Sequence, residues 1–111
     1  MRRSNKFGAV KVKDDGHTFD SKAEHRYYCG LKLRKLAGEV SNITVHKQFD
    51  LYVPSRGKTV KIGAHILDFE FYDIPAQKWR NVEVKGVDLP LGRWKRKHCE
   101  AEYGIKIEVV K

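Results

Sequence analysis

Between Ile43 and Val87 three extended segments follow one another, with a helical pattern before them and another after. That order constrains the fold most, because consecutive strands joined by short turns usually pair with each other. In the first segment, Ile43 to Tyr52, Ile43/Val45 and Phe49/Leu51 alternate as two apolar pairs, with a slip of register between them. Pro54-Ser55-Arg56-Gly57-Lys58 supplies a turn. The second segment, Val60 to Tyr72, sets Ile66, Asp68 and Glu70 against Leu67, Phe69 and Phe71. Asp73-Ile74-Pro75-Ala76 turns the chain again. In the third, Trp79 to Val87, Val82 and Val84 face one way and Asn81, Glu83 and Lys85 the other.

The flanking patterns read as helices. Ser21-x-x-Glu24 fits a capping box, and Gly38 is placed to stop a helix that starts there. On that helix Ala23, Tyr27, Tyr28 and Leu31 fall within an arc of about 140°. Glu24 projects into the middle of the arc, so its neighbours are apolar. Gly86 to Gly92 reads as a loop holding Pro90, and Arg93 to Tyr103 as a second helix ended by Gly104. Ile105, Ile107 and Val109 then alternate as a last strand. Ahead of all this, Val10 to Lys13, the turn residues Asp14-Asp15-Gly16 and His17-Thr18-Phe19 fit a small leading hairpin. The expected architecture is a mixed sheet flanked by helices, in the order α-β-β-β-α-β. Residues 1–13 read as a basic arm and first strand, and residues 14–111 as a single domain.

Charge narrows the partners. The 111 residues carry 23 Lys and Arg against 14 Asp and Glu, a formal charge of +9 and a pI near 9.7. Such a balance favours a polyanion, nucleic acid before an acidic membrane. No apolar run approaches the roughly 20 residues of a spanning helix. The basic start Met1-Arg2-Arg3-Ser4-Asn5-Lys6 has no apolar stretch behind it, so no secretory signal is expected. Two cysteines, Cys29 and Cys99, make no disulfide framework and fit a reducing, intracellular setting.

The informative residues are acids and one lysine in strand positions. Glu83 and Lys85 lie two apart, on one face of a strand. Asp68 sits within the preceding strand pattern, so Asp68 and Glu83 are expected as neighbours across the ladder. Two adjacent carboxylates need a cation, and oxygen donors suit Mg²⁺ or Mn²⁺. Lys85 is then placed to touch what binds there, and Glu24 to add a third carboxylate if its helix packs over the sheet.

These residues carry a resemblance. Asp68, fourteen intervening residues and Glu83-x-Lys85 resemble the signature of the PD-(D/E)XK nuclease superfamily, whose common core has the same element order. Three segments are similar to a family of small phage and prophage endonuclease-like proteins related to phage junction-resolving endonucleases. They are Asp15 to Glu24, Gly38-Glu39-Val40-Ser41-Asn42-Ile43 and Val82-Glu83-Val84-Lys85-Gly86. The resemblance runs from about residue 14 to 110. It implies a restriction-endonuclease-like αβββαβ fold. It implies that Asp68, Glu83 and the carbonyl of Val84 hold the metal, that Lys85 serves the attacking water, and that Glu24 assists. Leu67 departs from the proline of the superfamily name, at a tolerant position.

The expected activity is that of a Mg²⁺- or Mn²⁺-dependent endodeoxyribonuclease with no small-molecule cofactor. By resemblance its substrate is DNA, branched or junction DNA included, in the cytoplasm of a bacterial host and encoded by a phage or prophage. Lys22, Arg93, Lys95, Arg96 and Lys97 are the candidate backbone contacts, with Trp94 among them. One domain offers one active site and cutting two strands needs two, so a homodimer is expected. The rival readings are a basic nucleic-acid-binding module without catalysis, an RNA-cutting enzyme and a subunit of a larger nuclease or transposition complex.

Each residue also has a plainer role. Glu24 fits the capping box, and the basic run 93–97 fits a solvated helix face. His65, three residues before Asp68, points to the opposite face and reads as structural or as a phosphate contact, not as a ligand. Asp88 reads as a turn acid. Tyr27, Tyr28 and Trp79 read as core, and Cys29 as core or boundary packing. His25, Cys29, His98 and Cys99 lack the paired spacing of zinc sites.

Overall fold

In the computed structural model residues 10–111 are described, and the expected basic arm falls mostly on residues 1–9, outside them. A short hairpin opens the chain: β1 (Val12–Asp14) pairs antiparallel with β2 (His17–Phe19). The turn between them uses Asp15 and Gly16, at φ 51° and 77°. Two left-handed residues in a row are what a tight hairpin with the right twist needs. Then come α1 (Lys22–Leu36), β3 (Val40–Ser55), β4 (Lys58–Asp73), β5 (Lys78–Val84), α2 (Pro90–Tyr103) and β6 (Ile107–Val110). The chain is thus an α+β protein in the expected order, with the leading hairpin present.

The main sheet has the order β3-β4-β5-β6. The first two pairings are antiparallel and β5 with β6 is parallel. The parallel step follows from α2, which carries the chain back across the sheet. β3 and β4 are longer than the alternation suggested, at 16 residues each. Arg56 and Gly57, at φ 49° and 76°, turn them tightly, so Pro54 lies within the strand opposite Thr59.

Local chemistry sets the helix ends. Ser21 accepts a hydrogen bond from the Glu24 N–H at 3.1 Å. At the other end Gly38 is left-handed, the Gly38 N–H bonds Lys35 O and the Glu39 N–H bonds Arg34 O. That pair satisfies carbonyls the helix would leave open. α2 starts at Pro90, three residues before the sequence suggested, since proline suits a first helical turn.

Two apolar clusters cover opposite faces of the sheet. On the α1 side Phe19, Tyr28, Leu31, Val40, Phe69, Phe71, Val82 and Val84 pack together. On the α2 side Phe49, Leu51, Leu67, Cys99 and Ile107 do so. Trp79, expected in the core, is exposed on β5. Among the described residues no helix is long and apolar enough to cross a membrane.

Candidate functional site

The site forms where two strands change face. Leu67 and Phe69 are two residues apart and would share a face of a regular strand. Instead Leu67 belongs to the α2-side cluster and Phe69 to the α1-side cluster. β3 changes over at the same level: Val45 packs on the α1 side and Phe49 on the α2 side. Val45 pairs with Phe69 and Lys47 with Leu67, so His46 and Asp68 lie at the crossover. His46 has φ 57° in mid-strand. For a residue with a Cβ that conformation costs about 1–2 kcal/mol, and such strain gathers at functional sites.

The crossover brings three side chains of metal-ligating type together on the α1 side. One ligand atom each from Glu24, His46 and Asp68 lie within 4.8 Å of one another. Glu24 is 4% exposed, held under α1 by the apolar arc around it. Its Oε1 lies 2.7 Å from His46 Nε2, so its carboxylate faces the cluster while Ser21 caps the helix through the Glu24 N–H. The ring of Phe19 packs against His46, with centroids 5.7 Å apart, and walls the cluster on one side.

Asp68 carries the electrostatic load. Burial, then the neighbouring Glu24 carboxylate, push its carboxyl up to about 7, with a small further push from Glu83. The Val84 N–H, donating to Asp68 Oδ2 at 2.8 Å, and the Lys85 ammonium act in the opposite sense. A carboxylate that is hard to ionise beside a second acid is a place where a cation relieves a local penalty. Two carboxylates and one imidazole form a donor set that suits Mn²⁺, and Mg²⁺ with water completing its shell.

Glu83 stands elsewhere, contrary to the expected pairing with Asp68. It is 1% exposed on the α2 side. Its Oε1 meets His65 Nε2, and its Oε2 lies 3.4 Å from the Arg96 guanidinium. Ladder spacing set Asp68 and Glu83 side by side only if β4 alternated without interruption, and the change of face at Asp68 removes that condition. His65 does point away from Asp68, as its spacing required, and there it holds Glu83. Val84 reaches the site through its N–H. Lys85 is half-buried just past the end of β5, and its N–H is tied to Val110 O at 2.8 Å.

The candidate nucleic-acid contacts divide. Lys22, Arg93 and Lys97 are exposed and Lys95 is half-buried. Arg96 is not a free cation: it grips Asp88 at 3.2 and 2.7 Å as well as Glu83. That grip lowers the Asp88 carboxyl below its usual range and pins the loop between β5 and α2. His46 is the site residue that sequence reasoning missed. The slip of register between Val45 and Phe49 was the available signal, since a histidine stands at the slip.

The fold and this cluster define an α+β protein with two acids and a histidine gathered under its first helix. The chain belongs to the family described as a protein of unknown function (DUF1064), which matches residues 4–110. No curated protein and no solved structure matches it.

Proposed function

We propose that the chain is a metal-dependent phosphodiester hydrolase acting on DNA, a member of the PD-(D/E)XK nucleases related to phage junction-resolving enzymes. In this reading Glu24, His46 and Asp68 hold Mn²⁺ or Mg²⁺, and Glu83 is a structural acid. The observation that carries it is the meeting of Glu24, His46 and Asp68, with the Lys85 charge acting on the same carboxyl. When bound, the ion would activate a water and draw charge from a phosphate oxygen. The chain's own groups do the rest. The Lys85 ammonium offsets charge on a phosphate, or as the free amine takes a proton from water. The 2.7 Å contact of Glu24 Oε1 with His46 Nε2 keeps both side chains turned into the cluster, and it opens when both atoms turn to the ion, with the imidazole proton on Nδ1. Lys22, Arg93, Lys95 and Lys97 supply backbone contacts that position the substrate without reading sequence. A homodimer would bring two such sites to two strands. The setting is the cytoplasm of a bacterial host, with the gene in a phage or prophage.

The test is cleavage of plasmid, branched DNA and RNA with Mg²⁺ or Mn²⁺ by the wild type and four variants. Asp68→Ala, His46→Ala and Lys85→Ala should lose cutting, while Glu83→Gln, if folded, keeps a measurable part of it. Cutting of RNA alone would reassign the substrate. One observation favours a second reading. Glu83, the acid the nuclease signature needs at the metal, is engaged by His65 and Arg96 on the other face. That suits a basic nucleic-acid-binding module without catalysis, or a subunit of a larger complex. Tight binding with no cleavage by either ion would establish it. Light scattering with DNA present checks the dimer, and a monomeric mass would count against it.

A further inference from the structure

A second group of metal-binding side chains lies on the outer side of Phe19, where the hairpin meets α1. His25 and Cys29 are one helical turn apart, and β1 brings Asp14 against them. His25 Nε2 lies 2.9 Å from Asp14 Oδ2 and 3.5 Å from Cys29 Sγ. One ligand atom from each of the three lies within 4.8 Å of the others. All three are half-buried, so an ion can reach them. The Phe19 ring stands 5.6 Å from that of His25 and 5.7 Å from that of His46, between this group and the Glu24 cluster.

We propose that Asp14, His25 and Cys29 form a binding site for a thiophilic divalent ion, Zn²⁺ or a close analogue, separate from the Glu24 cluster. Its donor set is one oxygen, one nitrogen and one sulfur, with a fourth position for water. Tetrahedral Zn²⁺, at about 2.0 Å from nitrogen and about 2.3 Å from sulfur, sets those two atoms about 3.5 Å apart. That is the separation found between His25 Nε2 and Cys29 Sγ. The oxygen–nitrogen edge of such a site is about 3.4 Å, a few tenths of an ångström longer than the hydrogen bond it replaces. Hard Mg²⁺ gains nothing from the thiolate, so the two sites divide metals by softness. Binding releases the Cys29 thiol proton to solvent and moves the His25 proton to Nδ1.

Two consequences follow from the surroundings. Lys32 Nζ lies 3.2 Å from the same Asp14 oxygen and 2.9 Å from Asp15 Oδ2. It competes for Asp14, so its removal should tighten the site. The ion would also staple β1 to α1, and so fix the hairpin whose Phe19 walls the other cluster.

The experiment is titration of the reduced full chain with Co²⁺, followed by its absorption spectrum and by competition with Zn²⁺. One equivalent should produce a sulfur-to-cobalt charge-transfer band that Zn²⁺ bleaches. Cys29→Ser should remove the band. Asp14→Asn should weaken Co²⁺ at least tenfold, Lys32→Gln should strengthen it, and Asp68→Asn should leave the band intact. Far-UV circular dichroism checks that each variant is folded. No band at stoichiometric Co²⁺, a band that survives Cys29→Ser, or full affinity in Asp14→Asn would overturn the proposal.

Discussion

Replacing Asp68 by Asn should make the protein more stable, and increasingly so as pH rises. The Asp68 carboxyl moves from 3.8 to about 7 on folding. Between those values the folded chain keeps a proton that the unfolded chain has given up. Stability therefore falls as pH rises through this window and stays at the lower level above it. Each pH unit corresponds to about 1.4 kcal/mol, so the whole span is worth roughly 4 kcal/mol. Between pH 5 and 8 the portion is about 2–3 kcal/mol. Asn has no charge to bury, and its Oδ1 can still accept from the Val84 N–H. Glu24, His46 and Lys85 are present in both proteins, so the difference between them isolates residue 68.

The assay is thermal unfolding of both proteins with a chelator across pH 5 to 8. The gap in melting temperature should open by roughly 10 °C over that range, most of it below pH 7. Saturating Mn²⁺ at pH 8 should raise the wild type towards the variant, because the ion then replaces the missing proton. A gap that stays constant with pH, or that opens towards low pH, would refute the reasoning.

The remaining predictions concern packing, the buried ion pair and binding. Phe19→Ala empties a fully buried site between the hairpin, α1 and Phe69, and should cost about 3–5 kcal/mol in denaturant unfolding. Arg96→Ala leaves Glu83 with His65 alone in a buried setting and should cost about 3–5 kcal/mol, whereas loss of an exposed cation would cost under 1. If Arg93 and Lys97 each meet a phosphate, replacing either by Ala should lower the slope of log affinity against log salt by about 0.9 on duplex DNA.

Much of the fold was legible because its signals are local. Ser21, Gly38, Arg56-Gly57 and Gly104 mark ends and turns by chemistry that needs no tertiary partner. The arc of Tyr27, Tyr28 and Leu31 placed Glu24 inward before any packing was known. The site was only partly legible, because it depends on an irregularity. Strict alternation put Asp68 and Glu83 on one face. The structure turns β4 over at Asp68 and β3 over at His46, which sends Asp68 to Glu24 and leaves Glu83 with His65 and Arg96. A slip of register was visible in β3, but its counterpart in β4 was not, since Leu67 and Phe69 are both apolar and fit either face. Arg96 looked like its basic neighbours because its partner Asp88 lies eight residues away, in a loop whose path no periodicity reveals.

Crystals grown with Mn²⁺ and measured for its anomalous scattering locate the ion without reliance on any assay of activity. The proposed assignment requires a peak bounded by oxygens of Glu24 and Asp68 and by His46 Nε2, with Glu83 still held by Arg96. A peak coordinated by Glu83, or a pocket that stays vacant at saturating Mn²⁺, would contradict it.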